Sequence, residues 1–163
     1  MMLVEVSDVP PVSLIDTQGN QFIEIGTVQA TAGYYNTLYY ALVRSSVPDT
    51  ITASGMGNYP SFVVHQMTGV GRIGAYSTGN GSSNTPAVSS YLPVPGSYVF
   101  AVLLAYTNGT GYAIDAGPGY TQIGVYPGFI SDEFLSAAGG STTSPFFMTM
   151  STRWGEISVN LLP

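Results

Sequence analysis

The stretch from Gly96 to Tyr106 (Gly-Ser-Tyr-Val-Phe-Ala-Val-Leu-Leu-Ala-Tyr) is the longest apolar run in the chain, and the turn signal Asn108-Gly109 follows it closely. A helix that crosses a bilayer needs about 20 apolar residues, so this run is too short to span one. Its β-branched and aromatic residues favour a strand. Successive strand side chains point to opposite faces. Val99, Ala101, Leu103 and Ala105 therefore share one face, and Tyr98, Phe100, Val102, Leu104 and Tyr106 share the other. Both faces are apolar. An antiparallel strand normally leaves one face to water, so a loop, a helix or another subunit is expected to cover the second.

Composition narrows the function classes. A chain of 163 residues suits one domain, and at that size folding buries roughly 70% of the surface of the unfolded chain. Cysteine is absent, which excludes disulfides, thiolate metal sites and a cysteine nucleophile. Charged residues make up only 7% of the chain, with 3 basic side chains (Arg44, Arg72, Arg153) against 9 carboxylates and a formal net charge of −6. Nucleic-acid binding requires Lys and Arg to neutralise phosphates, so no nucleic-acid partner is expected. Anionic membrane surfaces are disfavoured for the same reason, and no membrane insertion is expected. A low-charge surface rich in Gly and Tyr suits a protein that packs against copies of itself or against a particle. The start, Met1 to Val6, has no basic region, apolar core or small-residue cleavage site, which predicts no export by a classical signal.

Gly, Pro, Asn and Ser punctuate the sequence at the spacing of an all-β sandwich or barrel, and no helical period is sustained. Residues 1–11 read as an extended N-terminal arm or edge strand, because Pro10-Pro11 has no N–H to continue a ladder. Residues 12–163 read as the single domain. Val12 to Ile15 and Phe22 to Val28 read as a hairpin around Asp16 to Asn20, and Thr37 to Arg44 as a strand apolar on both faces. In Ser61 to Met67, Phe62, Val64 and Gln66 oppose Val63, His65 and Met67. Gly69 to Ser90 reads as the most loop-like part of the chain, with short strands near Arg72 to Tyr76 and Ala87 to Ser90. Tyr120 to Tyr126 reads as a strand, and Ser131 to Leu135 as a strand, with a single turn of helix as the alternative. At the end, Phe146, Met148 and Met150 oppose Phe147 and Thr149, and Ile157, Val159 and Leu161 oppose Glu156, Ser158 and Asn160, predicting one wet face for each strand. Trp154 reads as a packing residue.

The order of these pieces carries a resemblance. Asp16-Thr17-Gln18-Gly19-Asn20, Leu38-Tyr39-Tyr40-Ala41, Phe62 to Gly69, Gly119-Tyr120-Thr121 and the terminal Trp154 to Val159 strand follow one another. In this the chain resembles the concanavalin-like jelly-roll (LamG-like) domains of extracellular and virion surface proteins. One departure is His65-Gln66-Met67-Thr68-Gly69, where that family carries an acidic residue. The resemblance implies an antiparallel two-sheet β-sandwich of jelly-roll type, used as a structural or adhesive module.

Little in the sequence suggests reaction chemistry. His65 is the sole histidine, and no serine lies in a nucleophile-elbow motif. Glycosidase chemistry needs two facing carboxylates, and Glu24, Asp115, Asp132, Glu133 and Glu156 are scattered singly. A phosphate-cradling loop would need a lysine, and the chain has none. No catalytic residue and no cofactor is therefore expected. Asp16 and Asn20, with Asp8, are weak calcium candidates because they offer hard oxygens in a glycine-containing turn. Tyr34, Tyr35, Tyr91 and Tyr112 are candidates for stacking on a glycan. Asn80 and Asn108 open glycosylation triplets.

The resulting expectation is a non-enzymatic virion structural protein, a phage capsid decoration or tail-surface component, whose partners are copies of itself and other structural proteins of the particle. The expected assembly interface is Leu3, Val4 and Val6 of the arm, with Tyr98, Phe100 and Leu104 of the long strand. The alternative is an extracellular or cell-surface module, either a filament subunit acting by strand donation or a carbohydrate-binding domain.

Overall fold

The computed structural model describes residues 1–7, 12–57, 61–89, 96–106, 113–125, 130–137 and 143–163. Every element among them is a β-strand: β1 (Met2–Ser7), β2 (Ser13–Asp16), β3 (Ile23–Thr31), β4 (Tyr34–Ala41), β5 (Ile51–Ser54), β6 (Ser61–Gln66), β7 (Arg72–Ser83), β8 (Ala87–Ser89), β9 (Tyr98–Ala105), β10 (Ile114–Ala116), β11 (Thr121–Val125), β12 (Ile130–Ala137), β13 (Thr143–Met148) and β14 (Thr152–Leu162). All pairings are antiparallel. They form a four-stranded sheet β3-β4-β1-β6, a five-stranded sheet β11-β12-β9-β14-β7, and two small sheets, β10-β13-β8 and β2-β5.

Parity explains how these sheets stack. Leu3, Ile25, Val28 and Leu38 from the four-stranded sheet meet Phe100, Val102, Ile157, Val159 and Leu161 from the five-stranded sheet in one apolar layer. The two large sheets thus pack face to face, an arrangement consistent with a β-sandwich. The opposite face of β9, with Ala101, Leu103 and Ala105, packs with Trp154 against Val88, Ile114, Phe146 and Met148 of the β10-β13-β8 sheet. On the far side, Val4, Val6 and Tyr39 lie under the β2-β5 ribbon with Leu14, Ile51 and Ala53. The inner strands β1, β9 and β14 are therefore buried on both faces within one chain, which is why β9 is apolar all round.

Several expectations are corrected here. Met2–Ser7 is neither an arm nor an edge strand, because β1 pairs with β4 on one side and β6 on the other. The prolines at 10 and 11 fall outside the described residues and outside the strand itself, so they do not interrupt its ladder. No hairpin joins Val12–Ile15 to Phe22–Val28; β2 pairs with β5 instead, and β3 turns into β4 through Gly33, whose φ of 80° suits a glycine. The glycine-rich stretch after Gly69 forms the long strand β7. Its glycines are packing residues: a Cβ on Gly81 would sit 3.0 Å from Trp154 Cζ2, and one on Gly79 would collide with Val88. Finally, β14 has no wet face, since Glu156, Ser158 and Asn160 lie on its Trp154 side and are buried.

Candidate functional site

Among the described strands, β6 forms an outer edge of the four-stranded sheet and carries exposed apolar side chains. Within β6, Val63 is buried, while Phe62 and Val64 point to the outer face and stay 36% and 41% exposed. The β2-β5 ribbon covers the middle of that face and stops short of β6. The connection from β4 to β5 runs alongside and leaves a groove of about 580 Å³, lined by Met2, Val47, Ile51, Phe62 and Val64, with Asp49 at its rim. Val47 is itself exposed.

The backbone of this edge is oriented by β1. Met67 N–H donates to Met1 O at 2.8 Å and Met67 O accepts from Met1 N at 2.9 Å. In an antiparallel ladder such mutually bonded pairs recur at every second residue. Val63 and His65 therefore turn their N–H and C=O toward β1, and Phe62, Val64 and Gln66 turn theirs outward.

Natural sheets defend free edges with bulges, charges, proline or brevity. The other outer strands of the two large sheets carry such defences: β3 has two register shifts, β11 one, and the β7–β14 ladder one, with Arg72 at the start of β7. The strands of the small sheets that lie at edges are three or four residues long. In contrast, β6 runs in continuous register over six residues, with no Asp, Glu, Lys, Arg or Pro. Among the described strands it is the undefended edge.

Behind β6 lies a buried polar group. Asn36 Nδ2 donates to Glu5 Oε1 at 2.7 Å, and Ser7 Oγ lies 3.4 Å from both Glu5 Oε1 and Asn36 Oδ1. Glu5, Ser7 and Asn36 are all buried. His65 packs edge-on against Phe100 with ring centroids 5.3 Å apart. Burial pushes the His65 imidazole below its ordinary value of 6.5, and the negative charge of Glu5 opposes that shift. Glu5 is thus buried in the sandwich interior, while His65 is half-buried on the inner face of the outer strand β6.

The turn at Asp16 is held by its own side chains. Asp16 Oδ1 accepts from the N–H groups of Gln18 (3.1 Å) and Asn20 (2.8 Å), and Asp16 Oδ2 accepts from Asn20 Nδ2 at 2.7 Å. Asp49 joins the group from the β4–β5 connection, accepting from Thr17 Oγ1 at 2.8 Å. Desolvation pushes the Asp16 carboxyl up, but hydrogen bonds from the Asn20 side chain and backbone, with contributions from Asp49 and Gln18, outweigh it and hold the group below its ordinary 3.8. Because Asn20 Nδ2 faces the carboxylates, Asn20 Oδ1 is left buried without a partner among the described residues. Both Asp16 oxygens are thus taken by protein donors, and no three His, Cys, Asp or Glu side chains converge among the described residues. The third calcium candidate, Asp8, lies outside them.

Of the glycan candidates, Tyr34 and Tyr35 are half-buried on β4, and Tyr91 and Tyr112 lie outside the described residues. Tyr34 packs on Tyr106 with centroids 5.0 Å apart. Beside this pair is a shallow hollow of about 450 Å³ lined by Gln29, Thr31, Asn80 and Arg153. Arg153 Nη1 donates to Thr31 Oγ1 at 2.7 Å, and Asn80 Nδ2 donates to Gln29 O at 3.1 Å.

The expected assembly residues are corrected by their burial. Leu3, Val4, Val6 and Phe100 have no exposure and Leu104 has 2%, so they form the chain's own core; Tyr98 alone is on the surface. An interface built on the first five would require the sandwich to open. What the sequence did not single out is the pairing of an uncharged β6 with an uncovered edge. The alternation of Phe62 and Val64 was legible, but the sheet order that leaves β6 outermost was not.

Comparison with known proteins returned no match: no protein-family model, no curated protein and no solved structure is similar to the chain.

Proposed function

We propose that the chain is a non-enzymatic structural protein of a virus particle, a capsid-decoration or tail-surface component built on a sandwich of jelly-roll type, which packs against copies of itself and other proteins of the shell. The observation that carries this reading is the undefended β6 edge with its exposed Phe62 and Val64 beside an apolar groove. An edge of that kind is a liability in a free monomer and an asset in an assembly. The low charge content agrees with it, because a surface with few ionised side chains loses little hydration when it is covered. The test is the native mass of the purified protein over a range of concentrations. Self-association into a defined oligomer is expected, and a monomer at every concentration overturns the reading.

A second reading, a secreted or cell-surface glycan-binding module, is favoured by the hollow at Arg153 with the Tyr34–Tyr106 pair next to it. Tyrosine rings and a polar rim are the materials of sugar recognition. Titration with neutral oligosaccharides, comparing the native chain with Arg153→Ala, decides it. The strand-donating version of this alternative loses its free arm, since Met2–Ser7 completes the chain's own sheet.

A further inference from the structure

We infer that two copies of this chain join through β6, strand to antiparallel strand about a twofold axis at Val64, so that two four-stranded sheets become one continuous sheet. This rests on the self-packing reading above and specifies its contact. The outward N–H and C=O groups belong to Phe62, Val64 and Gln66. A twofold axis through Val64 sets Val64 opposite Val64 of the second copy and Phe62 opposite Gln66 of the second copy. All of these are positions whose backbone groups face outward, so the new ladder gains about six backbone hydrogen bonds with none left over in the strand. The symmetry also respects parity. Residues opposite one another in an antiparallel pair share a face, and Phe62, Val64 and Gln66 all lie on the outer one.

The chemistry of the edge selects a second copy as its occupant. Each chain carries a net charge of −6, which repels another copy in general. The pairing of two β6 strands sets no like charges opposite one another, because β6 contains no Asp, Glu, Lys or Arg. On the outer face the pairing brings the two Val64 side chains together and sets each Phe62 beside them on the diagonal, which gives the apolar cross-strand contacts that stabilise sheets. Such an interface is isologous and closed, producing a defined dimer rather than an open fibre.

The experiment combines a charge at the axis with a thiol at the same place. Sedimentation should give the native chain twice the 17.1 kDa chain mass, or an even multiple of it. Val64→Lys, which sets like charges opposite one another, should weaken association by about tenfold or more while the variant still unfolds in one cooperative transition. The chain has no cysteine, so Val64→Cys supplies the only thiol. In a hydrogen-bonded antiparallel pair the facing Cα atoms are about 5.5 Å apart, within disulfide reach. Mild oxidation should cross-link Val64→Cys into a dimer and leave Tyr76→Cys, on the exposed face of β7, as a monomer. If the native chain associates but Val64→Lys associates equally well and Val64→Cys does not cross-link, the β6 contact is overturned while self-packing stands. A native chain that stays monomeric at all concentrations overturns both.

Discussion

At the scale of single residues, the buried groups make the sharpest predictions. His65 is held neutral by burial, against the pull of Glu5. In the unfolded chain it takes up its proton as the pH falls through about 6.5, whereas the folded chain takes it up only at lower pH. The unfolded state then binds more protons, so stability is complete above about pH 6.5 and falls as the pH drops through the folded value. Melting temperatures of the native chain and His65→Gln between pH 7.5 and 5.5 should diverge, with a smaller decline in the variant; an unchanged slope would show that His65 is not the titrating group. The Asp16 carboxyl, also depressed, acts in a separate window below about pH 4. Leu103 has no exposure and fills the layer between β9 and the β10-β13-β8 sheet. Leu103→Ala is expected to cost about 2–5 kcal/mol in urea unfolding, as buried large-to-small changes do, and a loss below about 0.5 kcal/mol would contradict the packing of that layer.

Among the elements, β1 stands out because it is first in the chain yet interior in its sheet. It pairs with β4 in the register Met2↔Ala41 to Ser7↔Asn36 and with β6 in the register Met2↔Gln66 to Ser7↔Ser61. Removing residues 1–7 therefore strips ladder hydrogen bonds from two strands and takes Leu3, Val4 and Val6 out of two apolar layers. The truncated chain should show no cooperative thermal transition by circular dichroism. Cooperative melting within a few degrees of the native chain would mean that β1 is dispensable. The small sheets are elements of a different kind: each has one face against a large sheet and one toward solvent, which is why Ile15 and Phe147 are exposed while Leu14 and Phe146 are not.

For the molecule as a whole, the connectivity sets the folding rate. Strands that pair are often far apart in sequence: β6 closes on β1 and β14 closes on both β9 and β7. Loop-closure entropy must be met before these contacts form, so folding of such a topology is slow. Stopped-flow refolding from urea should show its main phase in milliseconds to seconds; a main phase in microseconds would not fit this strand order. The same connectivity places β6 at the rim, where its uncharged edge becomes the surface available to a second chain.

The sequence by itself determined the all-β class, many of the strand segments and how their side chains divide between faces, because a period of two is a local property of extended backbone. It was enough to identify β9 as a strand that needs covering on both sides, to sort Phe62 and Val64 from Val63 and His65, and to mark Trp154 as packing. Only the tertiary structure decided what covers what. The β10-β13-β8 sheet, not a separate subunit, covers Ala101, Leu103 and Ala105 of β9; Glu156, Ser158 and Asn160 are polar but buried; and the glycines of β7 lie in a strand against Trp154 and Val88 instead of in a loop. Which strand lies at the edge depends on pairings between residues tens of positions apart, and a side-chain pattern within one strand carries no record of its neighbours in the sheet. The exposure of β6, and with it the candidate contact between copies, therefore entered only with the fold.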